Sequence, residues 1–390
     1  MAKRVGMEVS IAAAEAVKQA NADVVAAYPI TPQTHIVEHI SELVADGELD
    51  AEFVPVESEH SAMSVCVGAS AAGARAFTCT SSQGLILMSE IVWIAASLRL
   101  PVVMIVANRS LSGPLSIWND HSDAMMLRDC GWIQIFAQNG QEVYDGVFNA
   151  FRIAEDHRVL LPVMIHMDGF ILTHVIESIE VVDQEVVDRY LPPYKPLYRL
   201  HPDDPVTMGA FAMPPLYTET QMAQNEALKA SYGPILEAWE EWGELTGRHY
   251  RPVETYKMEG AEVALITMGS FSETASVAVD EMREEGEAVG LVRIRLWRPF
   301  PFEEFRKSIR GIKTLVVVDR AISFGGPGGP VASEIRSALY EEKDRPAVVN
   351  FIAGIAGRDV SPDDYKRMIR RAREIAPVLP EAYEIYGVRE

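Results

Sequence analysis

Ala22-Asp23-Val24-Val25-Ala26-Ala27-Tyr28-Pro29-Ile30-Thr31-Pro32 is the stretch that decides the fold of this chain. Its apolar first half predicts a buried strand, and a helical pattern from Gln33 to Ala45 follows directly. A strand that leads into a helix is typical of an open α/β sheet, in which chemistry takes place beside the carboxyl ends of the strands. Local sequence predicts Thr31 as the N-cap and Pro32 as the first helical residue, and such a helix N-terminus can bind a small carboxylate.

The same alternation of short apolar strands and amphipathic helices continues to about Asp183 and begins again near Val263. Near-continuous apolar runs rich in β-branched residues predict parallel strands that are covered on both faces. The predicted fold class is therefore α/β, with a doubly wound parallel sheet in the first part and a second α/β pattern in the last part. The predicted strands are residues 24–27, 76–79, 102–106, 163–166, 263–266, 289–292 and 314–318.

A proline-rich connection separates the two α/β patterns. Seven prolines lie within residues 191–215, which predicts an extended segment without regular helix or strand. Two helices are predicted next, at 218–232 and 235–245, with Gly233-Pro234 as the turn between them. The predicted domains are thus residues 1–190, a connection with a helical segment at 191–258, and residues 259–390.

Composition excludes several classes of protein. A net charge of −21 over 390 residues and the lack of a basic stripe argue against binding to nucleic acid. No apolar run is long enough for a membrane span, and Met1-Ala2-Lys3-Arg4 does not begin an export signal, so a cytoplasmic location is expected. Cys66, Cys79 and Cys130 have no CxxC spacing, which predicts buried, inert thiols rather than an iron–sulfur cluster or disulfides.

Several short motifs follow the opening stretch in a fixed order, and each is weak evidence by itself. They are Val56-Glu57-Ser58-Glu59-His60, Thr80-Ser81-Ser82-Gln83-Gly84-Leu85, Ala107-Asn108-Arg109, Asp120-His121-Ser122-Asp123, Arg298-Pro299-Phe300-Pro301 and Asp319-Arg320-Ala321-Ile322-Ser323-Phe324-Gly325. The ordered set resembles the α subunit of the pyruvate:ferredoxin oxidoreductase family, which comprises 2-oxoacid oxidoreductases that depend on thiamine diphosphate. The resemblance extends over essentially the whole chain.

This resemblance implies a fold, a cofactor and site residues. It implies a domain that binds the pyrimidine of thiamine diphosphate, followed by a domain like the C-terminal domain of transketolase. Glu59 matches the glutamate that hydrogen-bonds N1′ of the aminopyrimidine and favours the imino tautomer, whose 4′ nitrogen removes the C2 proton. Thr31 and Arg109 match the pair that holds the substrate carboxylate. The other residues implied at the cofactor are Tyr28, Pro29, Ile30, Ser82 and Gln83.

The residues alone also have simpler explanations. Glu57 and Glu59 would complement the dipole of a helix capped by Ser58, and a lone loop arginine such as Arg109 is usually solvated or salt-bridged. Residues 82–84 fit a strand-to-helix turn whose backbone could line the pyrimidine pocket. For Glu59 the ordered motif series favours the functional interpretation over the structural one, whereas for the side chains of residues 82–84 the turn stays the favoured interpretation.

The resemblance also implies a reaction. It is the oxidative decarboxylation of pyruvate with coenzyme A to acetyl-CoA and CO2, or the reverse synthesis, with electrons passing singly to iron–sulfur clusters. Two alternatives stay open: a branched-chain 2-oxoacid such as 2-oxoisovalerate as substrate, and a non-catalytic α/β scaffold. Intact Glu59, Thr31 and Arg109 count against the scaffold. An oxalate enzyme of the family would carry extra positive charge at position 31.

Signatures for the other half of the cofactor are absent, since neither Gly-Asp-Gly nor Asn-Asn occurs in the sequence. We therefore expect a β subunit to hold the diphosphate, the magnesium ion and a cluster, and this chain to bind no metal. Ferredoxin-like and γ subunits would complete the complex. An acidic ferredoxin would dock on another subunit, because this chain is itself strongly acidic.

Three further motifs imitate binding sites. His35-Ile36-Val37-Glu38-His39 matches the H-x-x-E-H zinc-protease signature, but it lies on the polar face of its predicted helix. Asp120-His121-Ser122-Asp123 fits no standard metal spacing and is interpreted as a hydrogen-bonded loop that supports the Arg109 segment. The glycine-rich residues 324–330 contain two prolines without amide donors, which favours a tight turn over a phosphate-binding loop.

Overall fold

Thirteen of the fifteen strands in the part of the chain that this computed structural model describes belong to two mixed sheets, and the other two form a small antiparallel pair. The structure describes residues 3–377 and 383–389. Met1 and Ala2, on which the expectation about an export signal partly rests, lie outside the described residues. The elements of the first part are, in chain order, β1 (Lys3–Glu8), α1 (Val9–Gln19), β2 (Val24–Ala27), α2 (Thr34–Ala45), β3 (Glu52–Pro55), α3 (Glu59–Ala72), β4 (Ala76–Thr80), α4 (Ser82–Leu87), α5 (Ser89–Ser97), β5 (Val103–Asn108), α6 (Ser122–Met126), β6 (Ile133–Phe136), α7 (Gly140–Ala154), β7 (Val163–Asp168), β8 (Ile176–Val181) and α8 (Gln184–Tyr190).

The remaining described elements form the connection and the second α/β unit. They are α9 (Pro214–Ala230), α10 (Tyr232–Thr246), β9 (Val253–Tyr256), β10 (Val263–Thr267), α11 (Phe271–Glu284), β11 (Val289–Ile294), β12 (Leu296–Arg298), α12 (Phe302–Ser308), β13 (Thr314–Asp319), α13 (Pro330–Leu339), β14 (Ala347–Ile352), α14 (Pro362–Ile375) and β15 (Glu384–Ile385), with a single 3-10 turn at Ile355–Gly357 before α14.

The first sheet has the strand order β12-β6-β7-β5-β4-β2-β3, and all of its strands except β12 run parallel. Alternate residues of β5 point to opposite faces, as strand geometry requires. Ile105 packs with the apolar side chains of α1, α2 and α7, whereas Met104 packs with those of α3 and α5. Helices therefore cover both faces, which confirms the predicted doubly wound α/β fold.

The second sheet has the order β15-β14-β13-β10-β11-β9, in which only β9 is antiparallel. Ile266 packs beneath α12 and α13, and Leu265 packs beneath α11 and α14 on the opposite face. The α/β pattern predicted after residue 259 is therefore present. No helix among the residues that the structure describes has the length and apolarity needed to cross a lipid bilayer.

Two local predictions are wrong. Thr31 is not the N-cap of α2, because the helix begins at Thr34 with Gln33 as its N-cap. Residues 30–33 instead form a turn closed by the bond from the Gln33 amide to the Ile30 carbonyl (3.0 Å), so that Thr31 and Pro32 are the central residues of the turn.

Proline positions account for the second error. Gly233-Pro234 lies in the first turn of α10, where a backbone N–H has no partner inside the helix and proline is tolerated. For the same reason Pro214 and Pro215 begin α9 instead of ending the connection. Ser231 alone separates α9 from α10.

One strand crosses between the two α/β units. β12 follows β11 of the second sheet, but it pairs antiparallel with β6 at the edge of the first sheet, with Leu296 opposite Ile135. Leu296 is fully buried in the core of the first unit. The domain boundaries remain a prediction, and nothing in the apolar pattern of residues 296–298 indicates this exchange.

Candidate functional site

Four segments with polar side chains meet where β2, β4 and β5 end. The three strands are neighbours in the order β5-β4-β2, so their carboxyl ends lie along one edge of the sheet. The first segment is the turn after β2, and the others follow β4 and β5. The fourth is the N-terminus of α3, which packs against β2 and β4. The edge thus assembles residues 28–33, 58–60, 80–84 and 108–123.

Glu59 is the first residue of α3, and its side chain is turned into the protein. Ser58 caps the helix, because its hydroxyl accepts a hydrogen bond from the Ser61 amide, as the sequence predicts. Only 5% of Glu59 is exposed. A helix N-terminus stabilises a carboxylate by its dipole, but a residue with only that role would stay in water. Burial therefore distinguishes Glu59 from Glu57, which is exposed on the same turn.

The carboxylate of Glu59 lies against Gly84 in α4. A Cβ atom on Gly84 would come within 2.5 Å of Glu59 Oε1 and within 2.5 Å of Thr80 Oγ1. No described residue forms a hydrogen bond with the Glu59 carboxylate. The buried hydroxyls of Thr80 and Ser81 also have no partner among the described residues. Since buried polar groups are nearly always hydrogen-bonded, these atoms indicate that a polar ligand completes the site.

Arg109 follows β5 and reaches across the end of β4. Its Nη1 atom donates to the carbonyl oxygen of Thr31 (2.9 Å), and its Nε atom donates to the carbonyl oxygen of Ser116 (2.9 Å). The side chain is almost completely buried, and it has no salt bridge to any carboxylate of the described residues. Burial lowers the pKa of this guanidinium, and the charge of Asp123 partly offsets that effect. Three of its five N–H donors are free for an anion.

Asp123 ties the segment after β4 to the segment after β5. Its carboxylate accepts hydrogen bonds from the backbone amides of Ser82 (3.1 Å) and Arg109 (3.0 Å) and from Nδ2 of Asn108 (2.9 Å). Burial raises the pKa of Asp123 to about 7, although the hydrogen bonds from Asn108 and the Arg109 amide lower it. The predicted supporting role of the Asp120–Asp123 loop is thus visible as direct contacts.

The turn after β2 is held by Gln33, a residue that sequence reasoning missed. Gln33 is fully buried, and its Nε2 atom donates to the carbonyl oxygen of Tyr28 (2.8 Å). The thiol of Cys79 donates to Oε1 of the same side chain (3.5 Å). Tyr28 and Pro29 are exposed and Ile30 is half-buried, so all three are available to a ligand. The signal that the sequence offers is a glutamine directly before the helix.

The side chain of Ser82 contacts neighbouring protein groups instead of the space beside Glu59. The hydroxyl of Ser82 lies 2.6 Å from the carbonyl oxygen of Ser110 and 2.6 Å from Oε1 of Gln83. Ser82 therefore faces the loop after β5 and serves to fix that loop. Gln83 is half-buried and remains at the site edge. The structure brings Glu59, Thr31 and Arg109 to one edge of the sheet, and it gives Ser82 a supporting place beside them.

Buried charges connect the same edge to the second unit. Asp168, at the end of β7, accepts hydrogen bonds from Nη1 of Arg320 (2.5 Å) and from the Ser270 amide (2.8 Å), and it lies 3.0 Å from Nε2 of His121. Burial would raise the pKa of the Asp168 carboxyl, but the charges of Arg320 and His121 outweigh it and hold the pKa well below its ordinary value. Sequence patterns contain no signal for this cluster.

The histidines of the zinc-protease-like motif have other partners. His35 lies 2.6 Å from Glu8, and His39 lies 2.9 Å from Glu15, so each ring faces a carboxylate on a neighbouring element. Within residues 3–377 and 383–389, no three His, Cys, Asp or Glu side chains are grouped so that they could hold a metal ion.

The residues present fit the pyrimidine half of thiamine diphosphate. Glu59 offers an unpaired carboxylate oxygen, and Gly84 leaves open the space beside it that any Cβ atom would fill. A buried acceptor of this kind matches the protonated N1′ of an aminopyrimidine. The neighbouring hydroxyls of Thr80 and Ser81 add polar atoms without partners in the described structure.

Comparison with known families gives two matches that together span most of the chain. Residues 15–237 match the family described as "Pyruvate flavodoxin/ferredoxin oxidoreductase, thiamine diP-bdg". Residues 261–365 match "Pyruvate:ferredoxin oxidoreductase core domain II".

Similar proteins cover nearly the full length. The chain is 48% identical to pyruvate synthase subunit PorA of Methanothermobacter thermautotrophicus, over 92% of this chain and 93% of the relative. It is also 48% identical to pyruvate synthase subunit PorA of Thermotoga maritima, over 100% of this chain and 99% of the relative. Ketoisovalerate oxidoreductase subunit VorA of Pyrococcus horikoshii is 44% identical, over 93% and 92%.

Solved structures share the fold. A 2-oxoglutarate:ferredoxin oxidoreductase from Magnetococcus marinus matches with a TM-score of 0.71 and 20% identity, over 95% of this chain and 65% of that chain. A split-gene transketolase matches with a TM-score of 0.55 and 15% identity, over 95% and 100%. At these identities the comparison shows a shared fold and nothing more. It confirms the prediction that the fold resembles that of transketolase.

Proposed function

The chain belongs to the pyruvate flavodoxin/ferredoxin oxidoreductase family, and on this premise we propose that it is the catalytic α subunit of a pyruvate:ferredoxin oxidoreductase. The observation that supports the proposal best is the buried, unpaired carboxylate of Glu59 beside Gly84, on the sheet edge that also bears Arg109. Among the described residues the Glu59 carboxylate has no hydrogen-bond partner and Arg109 has no carboxylate partner, so both groups suit ligands.

Glu59 is the residue proposed to act on the cofactor. Thiamine diphosphate, when bound, supplies the nucleophilic C2 carbon at which 2-oxoacids lose CO2. Glu59 would accept a hydrogen bond from N1′ of the aminopyrimidine and so stabilise the tautomer that removes the C2 proton. The low local dielectric around a side chain that is only 5% exposed strengthens that hydrogen bond. Tyr28, Pro29, Ile30 and the edge of α4 at Gln83 would enclose the pyrimidine.

Thr31 and Arg109 are the residues proposed to bind the 2-oxoacid. Arg109 has three free N–H donors in a buried place, and a planar guanidinium can bind a carboxylate through two parallel hydrogen bonds. The hydroxyl of Thr31 lies in the adjoining turn. Asp123 holds the backbone of Arg109, which fixes the guanidinium before substrate arrives.

Pyruvate is the proposed substrate because relatives named pyruvate synthase subunit PorA reach 48% identity over almost the whole chain. The ketoisovalerate relative at 44% identity makes a branched-chain 2-oxoacid the second candidate. Steady-state kcat/KM values of the purified complex on pyruvate, 2-oxoisovalerate and 2-oxoglutarate, with coenzyme A and ferredoxin, test the choice. We expect the highest kcat/KM for pyruvate. A higher kcat/KM for 2-oxoisovalerate would make that 2-oxoacid the proposed substrate instead.

Partner subunits complete the proposed enzyme. The relatives are named as subunits, and this sequence has neither Gly-Asp-Gly nor Asn-Asn. We propose that a β subunit holds the diphosphate, the magnesium ion and an iron–sulfur cluster, and that ferredoxin-like and γ subunits pass electrons to ferredoxin. The chain purified alone should then bind no thiamine diphosphate in the presence of magnesium and show no visible absorption of a cluster. Either property in the isolated chain would contradict the divided site.

A further inference from the structure

The loop formed by residues 110–121 supports Arg109 from one side. It provides the Ser116 carbonyl oxygen that binds Nε of Arg109. Its two ends are joined at the base, where the Ser110 amide donates to the carbonyl oxygen of Trp118 (3.0 Å) and the Ser110 hydroxyl donates to Oδ2 of Asp120 (2.6 Å). The position of this loop therefore sets the position of the guanidinium.

The second α/β unit binds the same loop by three backbone groups. The amide of His121 donates to the carbonyl oxygen of Arg320 (2.7 Å), and the amide of Gly357 donates to the carbonyl oxygen of Asn119 (2.7 Å). The amide of Ala356 donates to Oδ2 of Asp120 (3.2 Å). Only the third of these bonds has a side chain as its acceptor, and that side chain, Asp120, also accepts a hydrogen bond from Ser110.

The turn that carries two of these donors has an unusual backbone. Gly354, Ala356 and Gly357 all have positive φ angles, of 69°, 51° and 70°. A left-handed conformation is uncommon for a residue with a Cβ atom such as Ala356, and it persists where surrounding contacts hold it. Gly357 also packs tightly on the loop, because a Cβ atom there would lie 2.7 Å from Cβ of Trp118.

A buried ion pair fixes the two units at the same junction. Arg320, whose carbonyl oxygen binds the loop, also donates to Asp168 at the end of β7 (2.5 Å). Both side chains are at most 2% exposed. A displacement of one unit along the other would pull the two charges apart while they remain buried, so the pair disfavours such sliding.

We propose that Asp120 is a positioning residue for substrate binding, through which the second α/β unit sets the place of Arg109. One oxygen, Oδ2, receives both the Ser110 hydroxyl and the Ala356 amide, so it joins the substrate loop to the second unit. The other oxygen, Oδ1, receives the amide and hydroxyl of Ser122 and orients the carboxylate. This inference rests on the proposed binding of a 2-oxoacid by Arg109.

Asp120→Asn in the complete enzyme complex should break the bond to the Ala356 amide and keep the bonds to Ser110 and Ser122. The new side chain can turn its amide oxygen towards Ser122 and its Nδ2 group towards Ser110. The Ser110 hydroxyl can then accept a hydrogen bond from Nδ2 and donate its own to the carbonyl oxygen of Trp118, which lies 3.1 Å away. The Ala356 amide alone loses its acceptor. We expect KM for pyruvate to rise roughly threefold to tenfold, the equivalent of one ordinary hydrogen bond. Thiamine diphosphate affinity and C2 proton exchange should stay within about twofold of wild type, because Glu59 is untouched.

Asp319→Asn is the matched control. Asp319 neighbours Arg320 and is equally buried, but its carboxylate binds the amides of Val331 and Ala332 at the start of α13. It should lower the melting temperature of the complex and leave KM unchanged. A normal KM in Asp120→Asn, or the same KM increase in Asp319→Asn, would overturn the inference.

Ser110→Ala removes the other bond in the same connection, the one from the Ser110 hydroxyl to Oδ2 of Asp120, and it serves if Asp120→Asn does not assemble. It should also raise KM for pyruvate, and the double variant should be no worse than the more affected single variant. Additive increases would mean that the two residues act separately and would contradict the inference. If Arg109→Ala has a normal KM, the proposed carboxylate role itself fails; if it has a raised KM while Asp120→Asn does not, only the positioning role of Asp120 fails.

Discussion

Arg109 donates a hydrogen bond from Nη1 to the carbonyl oxygen of Thr31 across 2.9 Å, although 78 positions separate the two residues in the sequence. The contact crosses the end of β4, which lies between β2 and β5 in the sheet. It uses the backbone of Thr31 and leaves the threonine hydroxyl free. The two residues implied to bind one carboxylate are therefore already in contact, and each keeps donors for a ligand.

Arg109→Ala should raise KM for the 2-oxoacid and lower kcat/KM by roughly tenfold to a hundredfold. Loss of a hydrogen bond to a charged group costs about 1.5–3 kcal/mol, which corresponds to that range. Cofactor affinity and C2 proton exchange should remain near wild type. Loss of cofactor binding with an unchanged KM would assign Arg109 to the cofactor instead.

Thr31→Val should have a smaller effect on KM than Arg109→Ala. The substitution removes a neutral hydroxyl, but the carbonyl oxygen that holds Arg109 belongs to the backbone and stays. We expect less than about a tenfold increase, in line with one neutral hydrogen bond. Steady-state kinetics of the single and double variants measure this, and a Thr31→Val effect larger than that of Arg109→Ala would contradict it.

Glu59→Gln should slow C2 proton exchange in bound thiamine diphosphate by roughly 10²–10⁴-fold, because an amide does not stabilise the reactive tautomer. Exchange measured by NMR after acid quench gives the rate directly. Glu57→Gln is the matched control, since Glu57 lies two residues earlier with its carboxylate exposed and bound to the Ser61 hydroxyl. Equal rates in the two variants would show that Glu59 only begins a helix.

Gly84→Ala should displace the Glu59 carboxylate, because the new methyl group would lie 2.5 Å from Oε1. The expected result is weaker binding of thiamine diphosphate and slower C2 exchange in an assembled complex. Gly68→Ala is a control on the helix that carries Glu59, at a place where a Cβ atom meets nothing within 4 Å. It should leave exchange unchanged and stabilise the helix by up to about 1 kcal/mol. Wild-type exchange in Gly84→Ala would remove the steric argument for the pocket.

The stability of the complex should depend on the ionisation of Asp123. Burial raises the pKa of this group to about 7 from its ordinary 3.8, so the folded state favours the protonated form. The stabilisation is complete below about pH 4 and is lost as pH rises towards 7. Asp123→Asn does not titrate, so the melting temperature of wild type should fall relative to the variant between pH 5 and 7. A constant difference would contradict the shifted pKa.

The three thiols should be unreactive in the folded chain. Cys66, Cys79 and Cys130 are all buried, and burial raises the pKa of Cys66 and of Cys130 to about 12. The reactive thiolate is therefore scarce at pH 8. Iodoacetamide should label none of the three in native protein and all of them in urea, as mass spectrometry can count.

The sequence predicts local features of the fold well and distant contacts poorly. Residues 163–165 are apolar without interruption, and the strand that begins there has helices over both faces of its sheet, so every one of these side chains is buried. The predicted N-cap at Thr31 is wrong because residues 30–33 form a turn that Gln33 holds, through bonds from its backbone amide to Ile30 and from its side chain to Tyr28.

In the candidate site, too, the sequence predicts local features better than distant contacts. Glu59 and Arg109 can be found because motifs record residue types at strand ends. The sequence identifies Asp123 and Asp120 only as parts of a supporting loop, since several of their partners are backbone amides that any sequence would offer. The cluster of Asp168 and Arg320 joins positions 152 residues apart, and no periodicity connects them.

The pairing of β12 with β6 bears on how the chain folds during synthesis. Ile133–Phe136 is an edge strand until residues 296–298 have left the ribosome, and all four of its residues are buried in the finished protein. An unpaired apolar edge invites association with other nascent chains. The first sheet therefore reaches its protected form only after three of the six strands of the second sheet have been translated, and β6 stays unprotected until then.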